Sequence, residues 1–218
     1  MTDGDGREHY HHGNLRDALL DAAEAELADG GVEGLSLRRL ARQCGVSQTA
    51  PYRHFATKDD LVVALATRAF EEFAECLRQA GAGHADPWRR LKALGLAYFD
   101  YARSRPERLR LMFGPNAIAE ATDPALLQAS SSAFLLLQDA VRAAFASSAE
   151  IDEAAATFGA WGLVHGMAAL AAEAPGLSEL SPEVRRRMVD AALTVYAHGL
   201  RMAASTGNGS APGEADAP

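Results

Sequence analysis

The sequence contains little of what stabilises or exports a secreted protein. Its 218 residues include only two cysteines, Cys44 and Cys76, whose separation fits neither a disulfide framework nor a zinc site. The first residues lack the basic start and apolar stretch of a secretory signal peptide. We therefore predict a cytoplasmic protein with reduced cysteines. Cys44 falls at an inward-facing helical position, which favours a small buried side chain over a redox switch.

The sequence also lacks the short motifs of most enzymes. It has no phosphate-binding glycine loop, no nucleophile elbow and no carboxylate pair with catalytic spacing. A catalytic alternative would depend on His165, with Tyr98, Tyr101 or Glu173 as its partner. A histidine that is hydrogen-bonded inside a helical bundle is the commoner arrangement. The sequence therefore predicts neither an enzyme nor a cofactor.

The two ends of the chain offer little to bury. Near the N-terminus, His9, His11 and His12 are not completed by carboxylate or cysteine ligands at metal-site spacing, so we predict no bound metal. Residues 1–12 are interpreted as a flexible arm. The segment 205–218, STGNGSAPGEADAP, is expected to be disordered because it is small, polar and rich in glycine and proline.

No stretch sustains the alternation of apolar and polar residues that marks a strand, so the sequence predicts an all-α fold. A first helix is expected to end at Gly30 and Gly31, and a long helix to run from about Lys58 to the next glycines. Asp86 is predicted to cap the following helix ahead of Pro87. The predicted bounds of the last five helices are 88–104, 106–113, 124–146, 151–173 and 182–204, with Asp123 and Ser181 as caps.

The most informative segment is SLRRLARQCGVSQTAPYRHFATKDDL, which runs from residue 36 to residue 61. Ser36 is predicted to cap a short helix that Gly45 ends through a positive φ. After a three-residue turn, Ser47 is predicted to cap a second helix over residues 48–54. Thr57, with an acidic residue three positions later, is predicted to open a third helix. Two short helices joined by such a turn form the helix-turn-helix unit that reads DNA.

The charge distribution supports this interpretation. The whole chain carries a net charge of −8, whereas residues 36–58 contain five basic side chains and no acidic one, so the remainder carries −13 (−8 − 5). An acidic protein with one basic surface is typical of a polyanion-binding protein, because phosphate neutralisation needs only a local cluster of cations. A solvated basic helix face is the alternative. The coincidence of the basic residues with the helix-turn-helix pattern favours DNA.

A family resemblance extends over the stretch from Tyr10 to Leu65. It is carried by GVS at residues 45–47, by Tyr52-x-His54-Phe55 and by the Thr-Lys-x-x-Leu that follows. These features resemble the N-terminal domain of the TetR family of transcriptional repressors. The resemblance implies a three-helix, helix-turn-helix DNA-binding domain over residues 13–73.

Position within the helix-turn-helix unit assigns roles to its outward side chains. The second helix enters the major groove, so three residues are predicted to contact base edges or adjacent phosphates: Gln48, Thr49 and Arg53. The resemblance implies that three others hold phosphates: Tyr52, His54 and Lys58. At the start of the preceding helix, one of Arg38 and Arg39 is predicted to reach the DNA backbone, and we choose Arg38.

A second resemblance lies near the C-terminus. The segment AWGLVHGMAAL, with Trp161, His165 and Gly166, resembles the Trp-His-Gly type of C-terminal domain in the same family. It implies a helical ligand-binding and dimerisation domain over residues 84–204. Aromatic and sulfur-containing side chains at inward helical positions suit either a packed core or an apolar cavity with polar edges. The candidates for a small-molecule pocket are Tyr98, Tyr101, Met112, Phe113, Phe134, Trp161 and His165.

Residues 154–172 form the longest apolar run, in which only Thr157 and His165 are polar. The run approaches the roughly 20 residues of a membrane span. Alanine and glycine dominate it and no aromatic or basic belts flank it, so we predict instead a helix covered by its own subunit and by a second one. The candidate interface residues, on this helix and on the last one, are Phe158, Gly162, Gly166, Leu170, Met188 and Val195.

Together these features predict a homodimeric TetR-like repressor. It is expected to bind a palindromic operator and to release it when a small molecule binds the C-terminal domain. The residues themselves do not separate a repressor from an activator. The main alternative is a helical ligand-binding module that does not bind DNA, which the basic segment disfavours.

Overall fold

The structure, a computed structural model, describes residues 15–114, 123–146 and 152–206. These residues form eight α-helices and one 3₁₀ helix and no strand, which confirms the all-α prediction. The α-helices are α1 (Leu15–Gly34), α2 (Leu37–Gln43), α3 (Lys58–Ala82), α4 (Pro87–Ser104), α5 (Pro106–Phe113), α6 (Pro124–Ala144), α7 (Glu153–Glu173) and α8 (Pro182–Thr206); the 3₁₀ helix is Ala50–Arg53.

The N-terminal elements pack around one apolar centre. Leu19 of α1, Leu40 of α2 and Leu61 of α3 are fully buried, and Phe55, which follows the 3₁₀ helix, is 2% exposed. Each of these side chains comes from a different segment. Their common burial therefore fixes how the two short helices lie relative to their support.

The second helix of the helix-turn-helix unit is shorter than predicted and of a different type. The predicted α-helix over residues 48–54 is wrong, since only Ala50–Arg53 is helical and it is a 3₁₀ turn. Pro51 has no N–H with which to make an α-helical bond back to Ser47, which favours the tighter turn. The Ser47 side chain does not cap this turn; its hydroxyl lies 3.2 Å from that of Thr49.

The predicted caps have mixed outcomes. Gly45 has a φ of +67°, as expected for a residue that ends a helix in the left-handed region. The Thr57 hydroxyl accepts a hydrogen bond from the Asp60 N–H at 3.1 Å, and the Asp60 carboxylate accepts from the Thr57 N–H at 2.8 Å, a complete capping box. Ser36 precedes α2 in an extended conformation but makes no side-chain cap. The backbone of Gly31 (φ 59°, ψ −168°) is not helical, so the first helical segment ends at the predicted position, and a second segment continues to Gly34 beyond this kink.

α3 connects the helix-turn-helix head to the C-terminal body. Its first turns pack in the head, and its later turns pack against α4 and α6. Phe73 and Leu77 are buried in the body at 3% and 4% exposure. No structural break therefore occurs at residue 73, the predicted end of the first domain, because one helix supplies side chains to both cores.

The helices of the body agree with the predicted bounds to within two residues. The side chains of Asp86 and Asp123 cap α4 and α6 by accepting backbone N–H bonds of 2.8 and 3.0 Å. The Ser181 hydroxyl accepts from the N–H of Val184 at 3.3 Å. α8 continues to residue 206, two residues into the predicted tail. The predicted arm with its histidines and the rest of the tail lie outside the described residues.

An ion-pair cluster joins α1, α3 and α5. Arg108 of α5 donates to Glu24 of α1 at 2.6 Å and also binds Glu72 of α3. Arg68 of α3 pairs with Asp21 at 2.6 Å and lies 3.7 Å from both Glu24 and Glu72. The Arg108 side chain is only 14% exposed. These residues, which we call the α1–α3–α5 ion cluster, fasten the head to a short helix of the body.

Candidate DNA-reading surface and ligand cavity

The head presents a set of polar side chains to solvent. Phe55 and Leu40 lie beneath them in the core, so the short segments that carry them are anchored from inside. Tyr52 is 46% exposed, although a large aromatic side chain gains by burial. The exposed residues are Arg38, Arg42, Gln48, Thr49, Tyr52, Arg53 and His54. We call these residues and Lys58 the reading surface; Arg42 is the member that the sequence analysis did not select.

Arg39 is committed to contacts within the head. Its guanidinium donates to both carboxylate oxygens of Glu26 at 2.5 and 2.6 Å and to the carbonyl of Gly34 at 2.7 Å. Gln43 donates to the same carboxylate at 2.7 Å. The hydrogen bond to Glu26 raises the pKa of Arg39, so this guanidinium stays charged. Arg38 has no ion pair among the described residues, which leaves it as the first cation of α2 that faces solvent.

Lys58 is partly engaged. Its Nζ donates to the carbonyl oxygen of Glu33 at 3.1 Å, and it lies 4.0 Å from the Glu33 carboxylate. The Glu33 side chain is 88% exposed. Ion pairs this exposed contribute about 0–1 kcal/mol, so a DNA phosphate can replace this contact at a small cost in free energy.

A cavity of about 550 Å³ lies in the body, between α3, α4, α6, α7 and α8 and the last residue of α5. Its lining is mostly aliphatic and aromatic. Four of the seven residues predicted for a pocket line it: Tyr98, Phe113, Phe134 and Trp161. The volume falls in the range of about 300–1,000 Å³ that is usual for small-molecule sites.

The other three predicted pocket residues do not line the cavity. The buried hydroxyl of Tyr101 donates to the carbonyl oxygen of Ala69 at 3.1 Å, which turns this side chain toward α3. Met112 is 5% exposed and packs in the apolar core. His165 lies beside the lining and not in it. Helical phase placed all three inward, but inward positions face either the core or the cavity.

Tyr98 of the cavity wall and His165 behind it form a polar pair. The Tyr98 hydroxyl and His165 Nδ1 share a hydrogen bond of 2.6 Å. Phe113 and Trp161 pack against the histidine ring, with centroids 5.6 and 6.2 Å away. Burial raises the pKa of Tyr98 well above its usual range. Tyr98 is therefore an uncharged wall of the cavity at physiological pH.

Several lining residues were missed by the sequence analysis. Phe70, Phe73 and Leu77 of α3 form one wall, and Leu193 and Tyr196 of α8 form part of another. The α3 residues lie on the long helix that is predicted to start at Lys58. Their apolar spacing indicates that they point inward, but nothing in the sequence distinguishes a position that faces the cavity from one that faces the packed core.

Comparison with known proteins identifies the family. Residues 19–65 match the family described as bacterial regulatory proteins, tetR family, and residues 91–204 match the tetracyclin repressor-like C-terminal domain. The second match alone covers more than half of the chain. The chain belongs to the TetR family. Its members are transcription regulators and not enzymes, which confirms the prediction that this chain is not an enzyme.

Individual relatives agree with this assignment. A solved protein of unknown function from Rhodococcus sp. RHA1 is 34% identical, with a TM-score of 0.77, over 88% of this chain and 98% of that one. The HTH-type transcriptional activator FasR of Mycolicibacterium smegmatis is 30% identical over 48% of each chain. The HTH-type transcriptional repressor AcnR of Corynebacterium glutamicum is 35% identical over 31% of this chain and 36% of AcnR. The chain thus spans about half the length, or less, of these curated relatives.

The TetR-family body exposes an apolar surface on α7 and α8. Phe158 and Leu170 of α7 are 69% and 56% exposed, and Met188 and Val195 of α8 are 50% and 72% exposed. Among the described helices, α7 is the one long and apolar enough to cross a membrane, with a third of its apolar window (33%) buried. Its buried side packs against α4, α6 and α8. One marginal helix of this kind does not make a TetR-family regulator a membrane protein.

The glycines of α7 differ in their surroundings. A Cβ at Gly159 would lie 2.7 Å from the Tyr196 hydroxyl, so this glycine serves packing within the subunit and does not form part of an open face. Gly162 and Gly166 have no atom within 4 Å of such a Cβ. These two glycines lie at four-residue spacing with Phe158 and Leu170, so they continue the exposed apolar stripe. We call this stripe and the exposed apolar residues of α8 the α7–α8 face.

Proposed function

We propose that this chain is a cytoplasmic transcriptional repressor that binds a palindromic DNA operator as a homodimer and releases it when a small molecule enters the cavity. The observation that carries the proposal is the reading surface: exposed cations and hydrogen-bonding side chains on an anchored helix-turn-helix unit, with no acidic residue between positions 36 and 58. On a protein with a net charge of −8, such a surface suits the phosphate backbone of DNA.

The reading surface divides into base-reading and phosphate-binding side chains. Gln48 and Thr49, in the turn ahead of the 3₁₀ helix, are suited to base edges, because amide and hydroxyl groups match donors and acceptors in the major groove. Arg53 at the end of that helix reaches bases or adjacent phosphates. Phosphate contacts position the protein on the duplex and carry no sequence information. We assign them to Arg38, Tyr52, His54 and Lys58.

The α7–α8 face supports the homodimer. Two neighbouring apolar stripes remain exposed in the isolated subunit, and contiguous apolar patches on soluble proteins mark interaction sites. A second copy brings the same two helices, so an isologous four-helix interface would cover both stripes. The two open glycines of α7 leave room for a partner helix to approach closely.

The cavity and the α1–α3–α5 ion cluster support release by a small molecule. Phe113, the last residue of α5, lines the cavity, while Arg108 in the same helix binds the head through Glu24. α5 is only eight residues long, so a ligand that displaces Phe113 would move the whole helix, including Arg108 and its ion pairs. A shift of α5 would change the position of the head and thus the spacing of two heads on the operator.

The proposal is tested by DNA selection followed by binding measurements. Purified protein is mixed with fragments of its source genome, the retained fragments are sequenced, and their affinity is measured by fluorescence anisotropy over a range of salt concentrations. We expect a palindromic site and a steep salt dependence. Absence of preference for any fragment over bulk DNA at moderate salt would support the alternative, a ligand-binding module without DNA binding.

Two substitutions distinguish the phosphate contacts that position the protein from the base contacts that read the sequence. Lys58→Ala should weaken all sequences about equally and reduce the salt slope by about 1.8, because each dimer loses two phosphate contacts at about 0.9 each. Gln48→Ala should change the preference at one base pair by about 1–3 kcal/mol. Arg89→Ala, which removes an exposed arginine from the start of α4, is the matched control and should change neither quantity.

The dimer is tested by Gly166→Glu. The isolated subunit has room for this side chain, so folding should be preserved while a charge is placed in the seam. We expect monomers in sedimentation and loss of tight operator binding. Gly83→Glu, at an equally open glycine between α3 and α4, is the control. A Gly166→Glu protein that stays dimeric and binds its operator normally would place the interface elsewhere.

A further inference from the structure

We propose that the molecule recognised by the cavity is uncharged and mainly apolar and carries one or two hydroxyl, carbonyl or amide groups that face α6. This inference rests on the proposed function, because it assigns a chemical class to the proposed effector site. It follows from which polar atoms of the lining are already bonded within the protein and which remain open.

The lining holds one formal charge, and that charge is neutralised. Lys92 of α4 lies at the cavity, and its Nζ is 2.9 Å from the carboxylate of Asp190 on α8. No aspartate or glutamate lines the cavity in the part of the chain that the structure describes. An anion would have to separate Lys92 from Asp190, and a cation would find no carboxylate partner. Transfer of either from water without a partner is unfavourable.

Aromatic walls do not alter this conclusion for cations. The faces of Trp161 and Phe134 attract positive charge. However, no carboxylate of the described lining is available to pair with a cation, and Asp190 would have to leave Lys92 in order to do so. The aromatic side chains therefore act as apolar surface for a neutral molecule.

Most hydroxyl groups of the lining are also committed. Tyr196 donates to the carbonyl oxygen of Ala156 at 3.1 Å, and Ser130 donates to that of Leu127 at 3.1 Å. Tyr98 is bonded to His165. The protons of Tyr196 and Ser130 are not offered to a ligand unless an internal bond breaks, and the Tyr98 hydroxyl is engaged with His165.

Among the hydroxyl and amide side chains of the described lining, two remain open, and both belong to α6. Ser131 and Gln138 make no hydrogen bond with other described residues. They are seven positions apart, which places them on one face of the helix about 10 Å from each other. Phe134 and Leu135 lie between them in the lining. The α6 wall is thus polar at two points and apolar in between, whereas the wall of α3 is apolar.

The experiment uses Trp161 as a reporter. Trp88, the other tryptophan, packs against Phe145 outside the cavity lining, so Trp88→Phe leaves a single tryptophan in the site. Fluorescence of this variant is titrated with three ten-carbon probes that differ in headgroup: 1-decanol, decanoate and decyltrimethylammonium. We expect decanol to bind at least tenfold more tightly than either charged probe.

A variant that fills part of the cavity tests whether the fluorescence response arises from binding there. In the Trp88→Phe background, Ser131→Phe fills the α6 side of the cavity and should abolish the response to decanol. Leu127→Phe, one turn earlier at a position that is 53% exposed and outside the lining, is its matched control and should respond normally.

The outcomes are distinct. Equal or tighter binding of decanoate or decyltrimethylammonium, or no response to any of the three probes, would overturn the inference. Decanol preference that Ser131→Phe removes would support it, whether or not decanol releases the operator. If decanol binds in this way and a wider set of uncharged ligands never changes operator affinity, the inference stands and the proposed effector release is wrong.

Discussion

The α1–α3–α5 ion cluster predicts a measurable coupling between head and body. Arg108→Gln preserves hydrogen-bonding capacity and much of the side-chain length but removes the positive charge that faces Glu24 and Glu72. The Glu24 side chain is 18% exposed and that of Glu72 is 38% exposed. The substitution therefore leaves two partly buried carboxylates with only Arg68 close to both.

The size of the effect follows from burial. Removal of one partner from a fully buried pair costs about 3–5 kcal/mol, and exposed pairs contribute about 0–1 kcal/mol. Arg108 is 14% exposed, and its partners are partly solvated. We therefore expect a loss of about 2 kcal/mol in the free energy of unfolding. For a chain of this size that corresponds to a decrease in Tm of roughly 4–8 °C.

The assay is urea and thermal unfolding at one fixed protein concentration, because dimerisation makes Tm depend on concentration. Arg78→Gln is the matched control, since Arg78 pairs with Glu75 on the same helix and both side chains are at least half exposed. It should change the free energy of unfolding by less than about 0.5 kcal/mol. An Arg108→Gln protein as stable as this control would refute a fastening role for the cluster.

The same variant has a functional consequence. Arg108 and Phe113 lie on one short helix, so a weaker bond to the head should reduce the effect of a cavity ligand on DNA binding. Two quantities are compared between Arg108→Gln and the wild type: the operator affinity without ligand, and the ratio of the affinities with and without ligand. The first should change by a smaller factor than the second. If that ratio is the same as in the wild type, coupling does not pass through α5.

Three further predictions concern local structure. Thr57→Ala should lower the free energy of unfolding by about 1 kcal/mol, because it removes a capping-box acceptor; an unchanged urea midpoint would contradict this. Gly45→Ala should cost about 1 kcal/mol because the residue has a φ of +67°, and a neutral result would mean that the turn relaxes. Burial raises the pKa of Tyr98 in the folded protein. The contribution of Tyr98 to stability is therefore present below pH 10 and is lost as the pH rises, because the phenol ionises first in the unfolded chain. From pH 10 to 12 the wild type should lose stability faster than Tyr98→Phe.

Much of the head could be predicted from the sequence because its signals are local. The capping box at Thr57 needs residues three positions apart, and the end of α2 needs one glycine in the left-handed region. The 3₁₀ turn was missed because the polar and aromatic pattern over residues 48–54 suits either helix type. Pro51 lacks the N–H donor that an α-helix needs at this position, which favours the shorter turn.

Pairing of long side chains could not be predicted. Arg38 and Arg39 are neighbours in sequence with the same charge, and both start α2. Only the packing of α2 on α1 places Glu26 within 2.5 Å of Arg39 and leaves Arg38 toward solvent. Glu26 lies 13 positions before Arg39, a separation that no helical period connects.

The all-helical architecture, the position of the helix-turn-helix unit and its basic character follow from local signals, since caps, prolines, apolar period and charge act over a few residues. The tertiary structure decided which inward side chains face empty space. Tyr98 and Tyr101 are both aromatic, both inward and three positions apart, yet one lines the cavity and the other bonds to the backbone of α3. A cavity is space that several helices leave unfilled between them, so its lining depends on how those helices pack and not on any one segment.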